Sequence, residues 1–321
     1  MIKTMAKIAF ALGLHMHSAD GLASNDYAGN VVINDSGPGT LIHHPSFPSD
    51  FVETRPVDVW LPDGYSAKER RRYPVIYMHD GQFMFDQTLS PYSSTWERIK
   101  GSFYGGLFWN VDQIVSRLIA DEAIAPVMVV SVWNLPDVKR RTEYMPQKPV
   151  TEEVARILRS ESDITREAIT SDNYLKFLVS ELKPFVDKTY RTKPDYSNTI
   201  IIGSSMGGLI SAYAISEYPE VFGAAACLST HWDLGGGAVV NWYKKNWPTA
   251  GEHRLYFDYG TKMLDADYEP FQKEMDALLR QKGFRENKDW ITHRFEGANH
   301  TPKAWRDRLH IPLKFLLENQ K

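Results

Sequence analysis

Gly203-Ser204-Ser205-Met206-Gly207 lies between two segments that leave it little conformational choice. Before it, Asn198-Thr199-Ile200-Ile201-Ile202 is a short β-branched run of the kind that forms a buried strand. After it, Leu209 to Ile215 is almost wholly apolar and reads as a helix packed on a sheet. A Gly-x-Ser-x-Gly held between strand and helix predicts a sharp turn with Ser205 at its tip. The two glycines lack the Cβ that would obstruct the adjoining strand and helix. The helix start beside the serine offers unpaired amides that favour developing negative charge. This combination predicts acyl transfer through a serine nucleophile. A phosphate-binding turn is the competing reading, but the Gly-x-x-x-x-Gly-Lys-[Ser/Thr] run it needs is absent from the sequence.

Further strand patterns occur at Thr54–Leu61, Val75–Met78, Val127–Val132, Phe222–Leu228, Arg254–Gly260 and Trp290–Phe295. Helical spacing covers Val111–Ala123, Asn173–Lys188 and Tyr268–Lys282, and a closing helix runs from Pro302 or Lys303 to Asn319. Val127–Val132 is apolar almost throughout, as in a strand covered on both faces. Strands alternating with helices predict the α/β class, a mostly parallel central sheet with helices on both faces. The pattern becomes regular near Gly39, which predicts one catalytic domain over 39–321, and 321 residues suffice for a large core. The polar stretch 137–170, with a helix expected at Val150–Arg159, reads as a partial lid or as a solvated surface helix.

Met1–Lys7 carries two lysines and no acid, Ile8–Leu14 is a short apolar run, and small residues Gly21 and Ala23 follow. This is the order of a secretory signal, so residues 1–23 predict export to the periplasm or beyond, with 24–38 a linker. A loosely docked N-terminus of a cytoplasmic protein is the alternative. Ile8–Leu14 is too short to span a bilayer, and no later run is long enough. A net charge of -3 with no Lys/Arg block argues against a nucleic-acid partner. The single cysteine, Cys227, excludes an internal disulfide framework, and its apolar surroundings predict a buried thiol.

A serine hydroxyl needs a base, and in this topology the chain order is Ser, then Asp or Glu, then His. His231, His253, His293, His300 and His310 follow Ser205. His300 alone lies in the loop after the last strand, which marks it as general base and acid, with His231 as a rival that could line the pocket. The acid should follow Arg254–Gly260. Asp265 is the favoured residue and Asp267 stays open, since both lie in that loop. Asp258 is inside the strand and Glu269 falls in the next helix. Oxyanion donors are expected from the Met206 amide and from the turn after Val75–Met78, at Gln82 with Phe83 as alternate. His79 and Asp80 shape that turn; a metal site there lacks further ligand spacing.

Tyr77-Met78-His79-Asp80-Gly81-Gln82, Arg141-Thr142-Glu143-Tyr144, the Ser205 turn with Gly208, and Gly297-Ala298-Asn299-His300 occur in this order. Together they resemble an esterase family of α/β hydrolases that includes esterase D, enterochelin esterases and feruloyl or acetyl-xylan esterases. The resemblance runs from about residue 40 to the C-terminus. It implies an α/β-hydrolase fold and a Ser-Asp-His carboxylic ester hydrolase that needs no metal or cofactor. Carried onto this sequence, it gives Ser205 as nucleophile, His300 as base, and Met206 with the His79–Gln82 turn around the oxyanion. In many relatives the acid comes sooner after the strand glycine than Asp265 does, so Asp267 remains open. Arg141, Glu143 and Tyr144 are expected in the pocket wall, with a buried structural ion pair as the alternative for Arg141 and Glu143. His231 and Trp232, with Gly235-Gly236-Gly237, Trp242 and Trp247 beyond them, are expected to present surfaces to a sugar or aromatic acyl group. The expected substrate is a small-molecule or carbohydrate ester carrying feruloyl or acetyl groups. A siderophore lactone is the alternative substrate, and a hydrolase-fold binding protein without turnover is the alternative of another class.

Overall fold

The computed structural model describes residues 31–33, 38–85, 106–136, 138–162, 164–251 and 253–318. The expected signal segment 1–23 lies outside them. Among these residues, nine strands form one sheet: β1 (Val31–Ile33), β2 (Thr40–Phe47), β3 (Arg55–Leu61), β4 (Val75–Met78), β5 (Met128–Val132), β6 (Thr199–Ser204), β7 (Ala224–Leu228), β8 (Arg254–Gly260) and β9 (Trp290–Phe295). Their spatial order is β1-β2-β3-β5-β4-β6-β7-β8-β9. The pairs from β1 to β5 are antiparallel, and every pair from β5 to β9 is parallel. Strand β1 falls within the stretch expected to be a linker. It is three residues long and pairs with Leu41–His43, which a search for longer alternating runs does not pick out.

Side-chain alternation on the strands builds two cores. Val75, Tyr77, Ile201, Ala225 and Phe257 face one layer, while Ile76, Met78, Ile200, Ile202, Ala226 and Tyr256 face the other. The second layer is covered by α1 (Val111–Ala120) and by the C-terminal helices. The first is covered by α2 (Val138–Tyr144), α3 (Glu152–Ser162), α4 (Ser171–Lys176), α5 (Lys183–Thr189), α6 (Met206–Glu217), α7 (Leu234–Asn246) and α8 (Glu269–Gln281). The chain 138–170 is therefore part of the wall: Tyr144, Met145, Val150, Leu158 and Ile164 are buried in this core.

Two prolines reshape the expected helices. Between α4 and α5, Phe177–Leu182 is a widened π segment that ends just before Pro184, a residue with no N–H to give back to the preceding turn. The closing helix divides into α9 (Pro302–Arg308) and α10 (His310–Leu317), because Pro312 cannot donate to the carbonyl of Arg308. Thr301 caps α9 by accepting from the Ala304 amide, with Pro302 in the first turn.

Glu143 does not pair with Arg141. Arg55 on β3 donates to it through both terminal nitrogens, at 2.7 and 2.6 Å. The Arg55 side chain is 0% exposed and that of Glu143 7%. The guanidinium also lies 5.5 Å from the centroids of the Tyr174 and Phe177 rings. Removing one ion leaves the other buried and uncompensated, which costs about 3–5 kcal/mol. Arg55→Met should lower unfolding stability by about that amount. Arg55→Met/Glu143→Met should recover most of the loss in urea unfolding, and a double variant no better than the single would show that the pairing is not what the site depends on.

Candidate active site

Every loop of interest leaves the C-terminal end of a parallel strand, the rim where open α/β sheets place their ligand sites. Ser205 follows β6 with φ 58 and ψ -123, in the left-handed region that L-residues rarely occupy. Its amide donates to the Leu228 carbonyl on the next strand at 2.9 Å. The turn requires Gly203: a Cβ there would stand 2.4 Å from the Gly207 carbonyl carbon and oxygen. Met206 is the first residue of α6, so its N–H has no acceptor within the helix.

His300 follows β9 and Asp265 follows β8. His300 Nδ1 and Asp265 Oδ1 are 2.6 Å apart. The other carboxylate oxygen accepts from Ser229 Oγ and from the Gly260 amide, each at 2.6 Å. Burial acts to raise the Asp265 carboxyl, but hydrogen bonds from His300 and Ser229, the His300 charge and the Gly260 amide outweigh it and hold it below the usual range. Asp265 is 1% exposed, whereas Asp267 points to solvent. The His300 ring packs edge-on against Trp305 at 4.9 Å and against Tyr268 at 5.8 Å. The Tyr268 hydroxyl lies 3.2 Å from His231 Nδ1. Tyr268 thus stands between His300 and the half-buried pair His231 and Asp233, whose Nδ1 and Oδ1 are 2.9 Å apart.

On the other side of Ser205, the turn Gly81–Phe83 follows β4. Asp80 enters it at φ 59 and is gripped by Arg140, whose Nε and Nη2 lie 2.6 and 2.8 Å from its two oxygens. Asn134 Nδ2 donates to the same carboxylate, and the Asp80 amide donates to the Tyr144 hydroxyl at 3.2 Å. Burial works against the Asp80 charge, yet Arg140 and Asn134 keep the carboxyl below its ordinary value. His79 is pushed down to about 3 by burial, so its imidazole is neutral. Its Nδ1 is 2.8 Å from the Tyr174 hydroxyl. Gln82 is buried, with its side-chain oxygen accepting from the Asn134 amide at 3.2 Å. A cavity of about 110 Å³ opens beside this turn, lined mainly by Met78, Phe83, Met84, Trp109 and Trp305.

The structure thus gathers Ser205, Met206, Gln82, His231, Asp265 and His300 on one rim. It does not bring Arg141 there. Arg140 and Tyr144 share a face of α2, four residues apart, and the guanidinium lies 5.1 Å from the Tyr144 ring centroid. Arg141 falls on the exposed face. Tyr144 is wholly buried and supports the turn from beneath, through the Asp80 amide, the His79 ring and the Arg140 guanidinium. Trp232 is also corrected: it is 0% exposed, and its indole donates to Gln272 Oε1 at 2.7 Å, so it has no free face for a ligand. Trp247 is buried too, and Trp242 packs on Tyr213 and Tyr243. Ser229, Tyr268 and Arg140 escaped the sequence reading. Ser229 carries the one available signal, since it is the first polar residue beyond the β7 strand.

A family model described as "Putative esterase" matches residues 50–314. A relative from Xylanibacter ruminicola named endo-1,4-beta-xylanase/feruloyl esterase is 28% identical over 178 residues, 54% of this chain and 19% of the relative. The chain therefore spans about a fifth of that relative's length. A solved ferulic acid esterase superposes with a TM-score of 0.60 at 16% identity, covering 88% of this chain and 99% of the other. The enterobactin esterase of Shigella flexneri superposes with a TM-score of 0.62 at 17% identity, covering 88% of this chain and 60% of the other. At these identities the two structures speak to the fold alone.

Gly203→Ala should cost about 3 kcal/mol or more of unfolding free energy, because a backbone rather than a flexible side chain blocks the new methyl. A melting temperature within a degree or two of the original would contradict that close approach. Asp80 and Asp265 have folded-state pKa values below their unfolded ones, so their contribution is complete at neutral pH and disappears as the medium is acidified through the folded values. Stability should fall below about pH 4, and Asp80→Asn should flatten that slope in urea titrations at stepped pH.

Proposed function

The chain belongs to this esterase family of carboxylic ester hydrolases and carries the α/β-hydrolase fold, and on that premise we propose that Ser205, His300 and Asp265 act as its nucleophile, base and acid. Ser205 Oγ attacks the acyl carbon while His300 Nε2 takes its proton. Asp265 holds the opposite nitrogen and stabilises the imidazolium. The Met206 and Gln82 amides receive the oxyanion. Collapse expels the alcohol, protonated by His300, and leaves an acyl group on Ser205. Water deprotonated by His300 then releases the acid. The observation that carries this reading is the 2.6 Å contact between His300 Nδ1 and Asp265, which commits one ring nitrogen and leaves the other for proton transfer. Residues 39–321 form a single catalytic domain in this reading, with 137–170 as part of its wall.

The substrate we propose is a carbohydrate ester bearing acetyl or feruloyl groups. Two features support a neutral substrate. Arg140, beside the Gly81–Phe83 turn, is already neutralised by Asp80 through two contacts and so offers little charge to a ferric catecholate anion. The adjoining cavity of about 110 Å³ is lined chiefly by apolar side chains and suits a small acyl group.

The test is hydrolysis of p-nitrophenyl acetate by the wild-type protein and by Ser205→Ala. The substitution should reduce kcat by about a thousandfold or more. Turnover that survives it would reject the mechanism. Failure to cleave any ester would instead favour a binding protein. Methyl ferulate, acetylated xylan and a catecholate trilactone, offered side by side, then separate the substrate classes, and preference for the trilactone would displace the carbohydrate reading.

A further inference from the structure

Behind the proposed acid lies a buried polar chain that the ester chemistry does not by itself require. Ser229 is 0% exposed and sits just past β7 with φ 42. Its Oγ accepts from Trp305 Nε1 at 2.9 Å and from Arg308 Nη2 at 2.8 Å. It lies 2.6 Å from Asp265 Oδ2. A hydroxyl has two lone pairs and one proton, and indole and guanidinium nitrogens only donate. Both lone pairs are therefore occupied, and the proton has one destination, the carboxylate.

Arg308 is fixed in turn. Its Nε and Nη2 hold Asp258 at 3.0 and 2.7 Å, and the Tyr256 hydroxyl donates to Asp258 at 2.9 Å. The Ser229 amide donates to the Asp258 backbone carbonyl at 2.9 Å and lies 3.1 Å from its Oδ1. Asp258 therefore anchors both the guanidinium and the backbone of Ser229. Trp305 packs edge-on against His300 while its indole nitrogen holds Ser229, so one side chain sets the distance between base and hydroxyl.

We infer that Ser229 is a positioning residue for the esterase reaction: its hydroxyl, directed by Arg308 and Trp305, pins one oxygen of Asp265 so that the other faces His300. The inference rests on the proposed role of Asp265. It separates the two carboxylate oxygens by task. Oδ2 is tied by Ser229 and the Gly260 amide, and rotation that would turn it toward the imidazole breaks two hydrogen bonds at once. Oδ1 is left to His300. Ser229 also draws negative charge away from His300. Without that donor the carboxylate charge falls more fully on the imidazole and stabilises its protonated form. The other ionisable groups near this pair are Tyr268, which touches His300 and His231, and Asp233, which pairs with His231, with Asp258 and Arg308 beneath, and replacing Ser229 removes none of them.

The experiment is the pH profile of p-nitrophenyl acetate hydrolysis by Ser229→Ala and Ser229→Gly, with wild type and Ser205→Ala alongside. Glycine accepts φ 42 without strain, so it serves if the alanine variant does not fold. In folded protein, kcat should fall about tenfold or more with KM little changed. The acidic limb of kcat/KM should move upward by about half a pH unit or more. A folded variant with the wild-type kcat and an unmoved limb overturns the inference, as does a rise in KM at constant kcat. If wild type is inactive, or Ser205→Ala is as active as wild type, the triad reading fails and this one falls with it. If those controls behave and only the Ser229 variants match wild type, the positioning role alone is wrong.

Discussion

The backbone reversal at Ser205 is the constraint from which the rest of the rim takes its place. A non-glycine residue at φ 58 carries strain of about 1–3 kcal/mol, and it persists only where its surroundings over-determine it. They do so here. Strand β6 is paired on both sides, the Ser205 amide is tied to the Leu228 carbonyl, and Gly203 lets the start of α6 approach within a distance closed to any other residue. With that point fixed, the parallel register of β4, β7, β8 and β9 delivers the remaining loops to the same edge. The residues brought together there come from positions 79 to 305, so the geometry belongs to the sheet and not to any local segment.

Among the described residues, three guanidinium–carboxylate pairs surround this rim: Arg55 with Glu143 and Arg308 with Asp258, both buried, and Arg140 with Asp80, partly buried. Each joins segments far apart in sequence. Such pairs add little net stability compared with apolar packing, because desolvation offsets the Coulomb attraction. What they supply is placement. Asp80 holds the turn beside the nucleophile candidate, and Arg308 holds the hydroxyl beneath Asp265. Both walls therefore rest on ion pairs that neighbouring polar groups reinforce: Asn134 also donates to Asp80, and the Tyr256 hydroxyl to Asp258.

The strands and most helices were legible because their apolar runs have the right length and period. So was the strand-turn-helix around Ser205, where local chemistry and global topology agree. The closing helix reads as one piece in sequence because its apolar spacing continues across Leu309, yet Pro312 removes a hydrogen bond and splits it. Arg141 enters as a pocket-wall residue through the resemblance carried by Arg141–Tyr144, and Val138–Tyr144 has too few apolar positions to reveal the helical phase that would correct it. Once the segment is helical, the phase puts Arg140 inward and Arg141 out. Asp265 and Asp267 are two residues apart, and only the fold of the 3₁₀ turn Met263–Asp267 makes one buried and the other exposed. Ser229 and Arg308 are 79 residues apart, and no local pattern in the chain reports that they touch.

The order in which translation supplies these groups has a consequence of its own. Asp80 and its turn are made before Ser205, and His300, Trp305 and Arg308 after it. Trp305 and Arg308 sit on the same short helix, α9, and they secure both the imidazole and the hydroxyl behind Asp265. A nascent chain can complete β6 and bend at Ser205 while still attached to the ribosome. Until α9 emerges from the exit tunnel and docks, His300 and Ser229 both lack the indole that lies against the one and holds the other.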